Sequence, residues 1–287
     1  MPRTTTLIVG CGYLGRRVGR LLSMRGERVF GTTRSAERAD ELARWGIEPV
    51  VADVLTPGSL AGLPEANRVL YCVGFDRSKG MPIRMVSVDG LRHALGHLID
   101  RAGRLVFASS TGVYGQVDGE WVDEDSPTEP RTESGRATLD AEKVVRSYGA
   151  DCGLQAVILR FSGLYGPGRI MRRESLLKGE PIAGDPDKFL NLIHIDDAAS
   201  VAVAALDRGR SGGLYLASDD RPAPRREFYG LAAEGLKAAP PRFSATGAED
   251  SNKRVKNARM RAELGVILAY PDIRAGVPTA IDAEVGA

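Results

Sequence analysis

Residues 7–15 read Leu-Ile-Val-Gly-Cys-Gly-Tyr-Leu-Gly, with three glycines spaced G-x-G-x-x-G at Gly10, Gly12 and Gly15. A β-branched apolar run, Leu7 to Val9, feeds this turn, and Val18, Leu21 and Leu22 then repeat at helical spacing. In a strand–turn–helix context such glycines hold a dinucleotide pyrophosphate. Gly10 permits the tight turn, and Gly12 lets the backbone approach the phosphates. These rest on free amides at the helix start, Tyr13 and Leu14 among them, while Gly15 lets helix and strand pack closely.

The next strand, Arg28 to Thr32, runs into Thr33-Arg34-Ser35. An NAD site would offer an Asp or Glu there to accept from the ribose 2′-hydroxyl. This chain offers two hydroxyls and a guanidinium, which matches a phosphate bidentately. The expected cofactor is NADP, with NAD as the alternative.

These residues need a frame, and the apolar pattern describes one. Glu48 to Ala52 reads as a third strand ended by Asp53 and the breakers Thr56-Pro57-Gly58, and Val69 to Val73 as a fourth ended by Gly74. The end of that fourth strand, Cys72-Val73-Gly74, is expected to face the dinucleotide. A helix over about 87–102, a strand Arg104 to Ala108, an acidic loop 117–132, a helix over about 134–148 and a strand Gln155 to Phe161 follow. Alternating strands and helices with nearly continuous apolar strands predict an α/β fold, a Rossmann doubly wound parallel sheet covered on both faces. After residue 165 glycine, proline and charge loosen the pattern. A short helix is expected near 173–178, an extended segment at 190–193, a helix 197–206 with Asp196 as its N-cap, and a strand 213–217. Residues 1–165 and 190–218 then form the core, and 166–189 with 219–287 an interleaved, small C-terminal substrate-binding cap.

Composition narrows the class. The 287 residues are 43% hydrophobic with a net charge of +2, so neither nucleic acid nor a membrane is demanded as a partner. No apolar run reaches eighteen residues and the chain enters its first strand at once, so the expected location is cytoplasmic. Cys11, Cys72 and Cys152 have no metal or disulfide spacing and read as small buried residues. His93 and His97 share a helix face but lack a third ligand, so they read as solvated and no metal is expected.

Over nearly its whole length the chain resembles the extended short-chain dehydrogenase/reductases of the NAD-dependent epimerase/dehydratase type. The resemblance rests on the glycine turn, Asp53-Val54, Ser109-Ser110-Thr111-Gly112-Val113-Tyr114-Gly115, residues 159–169 (LRFSGLYGPGR) and Ile193-His194-Ile195-Asp196-Asp197. It implies that Asp53 contacts the adenine and that the Ser110 hydroxyl orients the substrate's carbonyl or alcohol. The G-x-G-x-x-G spacing suits the subgroup called atypical. It also implies a homodimer paired through helices 87–102 and 134–148, where Leu91, Leu95, Leu139 and Val145 exceed what one sheet face needs.

The departure from the family lies at its catalytic pair. With Gly135, Ala137 and Glu142 holding the register, the family's Tyr falls on Ser134 and its Lys on Thr138, and none of the eight tyrosines has a Lys four residues later. A phenol near pKa 10 can be tuned by an ammonium, whereas an alkanol is far less acidic, so Ser134 cannot serve as an unaided base. Tyr114 is the best remaining phenol beside Ser110, as proton donor or as a packing aromatic under the nicotinamide. Arg169 and Arg172 are candidates to grip an anionic substrate. Two readings stand: an NADP-dependent oxidoreductase or epimerase on a polar, sugar- or nucleotide-linked small molecule, or a non-catalytic NADP(H)-binding sensor or scaffold.

Overall fold

Strand-forming runs separated by amphipathic helices leave one economical solution, a twisted parallel sheet with helices on both sides. The computed structural model, which describes residues 4–98, 101–244 and 251–285, has that arrangement. Strands β1 (Thr5–Val9), β2 (Arg28–Thr33), β3 (Glu48–Val51), β4 (Ala66–Tyr71) and β5 (Ala102–Ser110) join the strands Gln155–Phe161 and Leu214–Ala217 in one sheet. From one edge the order is 214–217, 155–161, β5, β4, β1, β2, β3, and every pairing is parallel. The strand order therefore reverses between β1 and β4, where an open α/β sheet leaves a crevice at its carboxyl edge.

The period of two along β1 divides the core. Ile8 faces α1 (Gly15–Met24) together with Leu70, Val106 and Val157, while Leu7 and Val9 face the other layer. The helices that follow α1 are α2 (Ala39–Arg44), α3 (Gly90–Leu98), α4 (Glu133–Cys152), α5 (Arg173–Leu177) and α6 (Ile195–Arg208). The chain closes with α7 (Arg225–Gly235), α8 (Ala258–Leu264) and α9 (Ile273–Val285). Helix α6 shares the first layer with α1, and α3 and α4 cover the second.

Several local expectations change. The helix expected over about 87–102 opens as a wider π turn over Met85–Asp89 before α3 proper; residues 99 and 100 lie outside the described residues, and its expected end is instead a turn at Arg101 and the start of β5 at Ala102. Asp196 does not cap α6. The cap is His194, whose Nδ1 accepts from the Asp196 amide at 3.3 Å, and Asp196 falls in the first helical turn. Leu91, Leu95 and Val145 are completely buried against the sheet and Leu139 is half-buried, so the apolar stripe expected to pair two copies is used within the chain. Arg92, Lys143 and Arg146 face outward instead. Cys152 is exposed at the end of α4, and His93 and His97 donate from Nδ1 to the carbonyls of Val54 and His93.

A separate apolar cluster joins Tyr165, Ile170, Leu176 and Ile182 to Phe228, Ala232, Ile273, Val277 and Ile281, with α7 against α9. Asp219 sits beside this cluster, 1% exposed, with neither carboxylate oxygen in a well-formed hydrogen bond among the described residues. Burial pushes its pKa well above the usual carboxylate range, the Arg221 amide compensates only in part, and the negative Asp272, Asp220 and Asp197 push it further. A raised folded-state pKa contributes stability at acid pH that is lost as pH climbs. Asp219→Asn is therefore expected to raise the thermal midpoint at pH 7 by about 2–4 °C, with the gain gone near pH 3. Differential scanning calorimetry at both pH values checks this.

Candidate functional site

Sequence places the glycine turn where the sheet order reverses, and the fold opens a groove of about 700 Å³ there. Gly10, Gly12, Tyr13, Leu14, Thr33, Arg34, Asp53, Val54, Cys72, Val73 and Gly74 all line it. Strands β1, β2, β3 and β4 thus deliver their carboxyl ends to one wall. Gly15 and Ser35 lie behind that wall. A Cβ on Gly15 would meet Ile8 Cγ2 at 2.8 Å, so its role is close packing, and the Ser35 hydroxyl caps the turn Ala36–Arg38 by accepting from the Glu37 amide.

The turn has the shape that a pyrophosphate needs. Gly10 has φ +88°, and a Cβ there would lie 2.6 Å from the Val73 Cα. At Gly12 a Cβ would meet nothing within 4 Å, so the space over this residue is open. The Cys11 and Gly12 amides are spent on Thr32 and Gly10 carbonyls, whereas those of Tyr13 and Leu14 donate to nothing among the described residues. Free amides at the start of a helix, beneath open space, fit a bound phosphate pair.

Sequence reading missed part of the lining: Arg16, Arg38, Lys79, Val86 and Leu164. Arg38 follows Arg34 by four residues, a spacing visible in the sequence. Nothing local marks Lys79, which reaches the groove because β4 ends beside β1. Cys11 and Cys72 also sit in the floor, where burial pushes the Cys11 thiol up to about 12 and Cys72 higher still, so both stay protonated and unreactive.

Ser110 is exposed at the end of β5 and its Oγ accepts from the Gly112 amide at 3.1 Å. The Tyr114 hydroxyl has no open face. It donates to the Asp123 carbonyl at 2.7 Å and accepts from Arg160 Nη1 at 2.6 Å, and burial pushes it up to about 12. Arg160 in turn grips Glu142 through Nε at 2.9 Å and Nη2 at 2.7 Å, and the Ser109 hydroxyl donates to the same carboxylate. Tyr114 is thus a member of a buried structural network and, like Ser110, does not line the groove. Its ring packs among Val113, Val122, Leu216 and Val255, away from the groove and not under a nicotinamide as the aromatic alternative expected.

Arg169 does line the groove, its guanidinium 5.4 Å from the centre of the Tyr13 ring. Arg172 does not; it is exposed, with φ 56°, at the start of α5. Ser134 and Thr138 are half-buried on α4, flanking Gly135, where a Cβ would come within 2.4 Å of the Gly112 carbonyl oxygen. His194 is 1% exposed and burial pulls its pKa down to about 4, so it is neutral at physiological pH. Among the described residues no cluster of three His, Cys, Asp or Glu could hold a metal, and no helix is long and apolar enough to cross a membrane.

A family model, the NAD dependent epimerase/dehydratase family, matches residues 6–217. The chain belongs to this family. A relative within the match is protein YeeZ of Escherichia coli K12, 31% identical over 273 residues, covering 92% of this chain and 96% of YeeZ. Another is the 3-diazoavenalumate denitrifying reductase of a Streptomyces species, 29% identical, covering 82% of this chain and 83% of the reductase. The UDP-glucose 4-epimerase of Thermus thermophilus, solved with NAD, superposes with a TM-score of 0.84 at 21% identity over 99% of this chain and all of the epimerase, a likeness of fold. Among the sequence relatives of this family member are proteins named as a reductase and as a UDP-glucose 4-epimerase.

Proposed function

We propose that this epimerase/dehydratase-family protein is a cytoplasmic, NADP-dependent oxidoreductase acting on a polar small molecule. The observation that carries the cofactor choice is the end of β2, where Thr33 and Arg34 enter the groove and no carboxylate stands. The turn at Gly10 to Leu14 holds the pyrophosphate, Asp53 and Val54 border the adenine, and Arg34 pairs with the 2′-phosphate. The nicotinamide, when bound, supplies hydride exchange. Ser110 orients the reacting carbonyl or alcohol at the carboxyl edge of β5, and Arg169 attracts negative charge on the substrate. Residues 166–189 and 219–287 form the cap over it. Tyr114 is left out of the chemistry, because its hydroxyl is committed on both sides.

The reductase relative from Streptomyces supports reduction over epimerisation. A second reading, a non-catalytic NADP(H) sensor, is favoured by Ser134 and Thr138, which stand where the family carries its Tyr and Lys. Fluorescence titration tests the cofactor assignment. NADPH is expected to bind at least about tenfold more tightly than NADH, and Arg34→Ala to remove most of that difference, since a charge-assisted bond contributes about 1.5–3 kcal/mol. Equal affinities, or an Arg34→Ala variant that binds NADPH normally, overturn it. Hydride exchange against a panel of carbonyl compounds then separates enzyme from sensor.

A further inference from the structure

The groove carries more positive charge than β2 supplies. Arg34, Arg38 and Lys79 all line it, all are exposed, and none has an ion pair or side-chain hydrogen bond among the described residues. Arg16 on the same wall is different, held by Glu41 at 2.5 Å. Three unpaired cations converging on one groove repel one another, an arrangement that favours an anionic ligand between them.

Lys79 arrives from a different element than the two arginines. The segment after β4 is pinned by a turn over Arg77–Lys79, in which Asp76 Oδ1 accepts from the Ser78 amide at 3.0 Å and from the Ser78 hydroxyl at 2.6 Å. Gly80 closes the turn at φ +64°. Asp76 also lines the groove, and its carboxyl is held below the usual range, chiefly by those Ser78 bonds, with Lys79 and Arg34 adding attraction. One carboxylate therefore feels cations from both walls.

Building on the NADP assignment, we infer that residues 75–81 form the second wall of a 2′-phosphate clamp, with Lys79 facing Arg34 and Arg38, and that Asp76 moderates it as an opposing charge. A ribose 2′-phosphate entering the groove satisfies the three cations together. Asp76 repels that phosphate and tempers the selectivity for it. A dinucleotide with a bare 2′-hydroxyl gains nothing from Lys79.

Calorimetric titration with adenosine 2′,5′-bisphosphate and adenosine 5′-monophosphate isolates the 2′-phosphate from any catalytic step. Lys79→Gln is expected to weaken the bisphosphate about tenfold and the monophosphate less than about twofold. Asp76→Asn is expected to tighten the bisphosphate about threefold, and raising salt from about 50 to about 300 mM to narrow the wild-type gap between the two ligands. Both side chains are exposed, and a thermal melt of each variant confirms its fold. If the wild type discriminates and Lys79→Gln weakens both ligands equally, or neither, the second wall is wrong and the Arg34 assignment stands. If the wild type binds the two ligands equally, the NADP assignment falls and the clamp with it.

Discussion

Gly12→Val is expected to abolish binding of both NADPH and NADH, a loss of about a hundredfold or more, in a protein that still folds. The open space over Gly12 makes the two outcomes separable. A Cβ there meets no protein atom within 4 Å, so the branched side chain projects into the groove without displacing the chain. It occupies the volume above the Tyr13 and Leu14 amides, where the pyrophosphate must rest. Gly10→Val, two residues earlier, should behave differently. Its φ of +88° and the 2.6 Å approach to Val73 Cα strain the backbone itself, so that variant loses stability along with binding. Nucleotide titration and thermal melts of the two variants check the pair. A Gly12→Val protein that binds dinucleotide normally would reduce the turn to a structural feature.

Glu142→Ala should cut stability by about 3–5 kcal/mol, the range for removing one partner of a buried ion pair. Glu142 is 1% exposed and Arg160 3% exposed, so solvent cannot replace the lost carboxylate. The guanidinium would keep one bond, to Tyr114, and the Ser109 hydroxyl would lose its acceptor. At about 2–4 °C per kcal/mol the thermal midpoint should fall by roughly 10 °C. Urea unfolding measures the difference directly, and a loss under about 1 kcal/mol would show that the network contributes little.

The sequence revealed the sheet because buried parallel strands are written as unbroken apolar runs, and Leu7–Val9, Val69–Val73 and Ala156–Leu159 are such runs. The glycine turn was equally legible, since its spacing carries its own geometry. What stayed hidden was set by distant neighbours. Tyr114 looks like a free phenol in sequence, because Arg160 and Asp123, which occupy its hydroxyl, lie 46 and 9 residues away. Leu91, Leu95 and Val145 looked surplus because helix periodicity gives the width of an apolar stripe but not the area it must cover. Lys79 carries no local mark. It matters only because β4 lies beside β1, a pairing fixed by the whole sheet.

The close approach of Gly135 to the Gly112 carbonyl has a consequence for how such a site can drift. Helix α4 is docked by backbone contact and by Ala137, Ala141, Glu142, Val144 and Val145, all buried, while Ser134 and Thr138 stand beside this docking face. Substitutions at 134 and 138 therefore leave the docking face itself unchanged. A lineage can exchange the groups at those two positions without relocating the helix or reopening the core. The mould outlasts its contents.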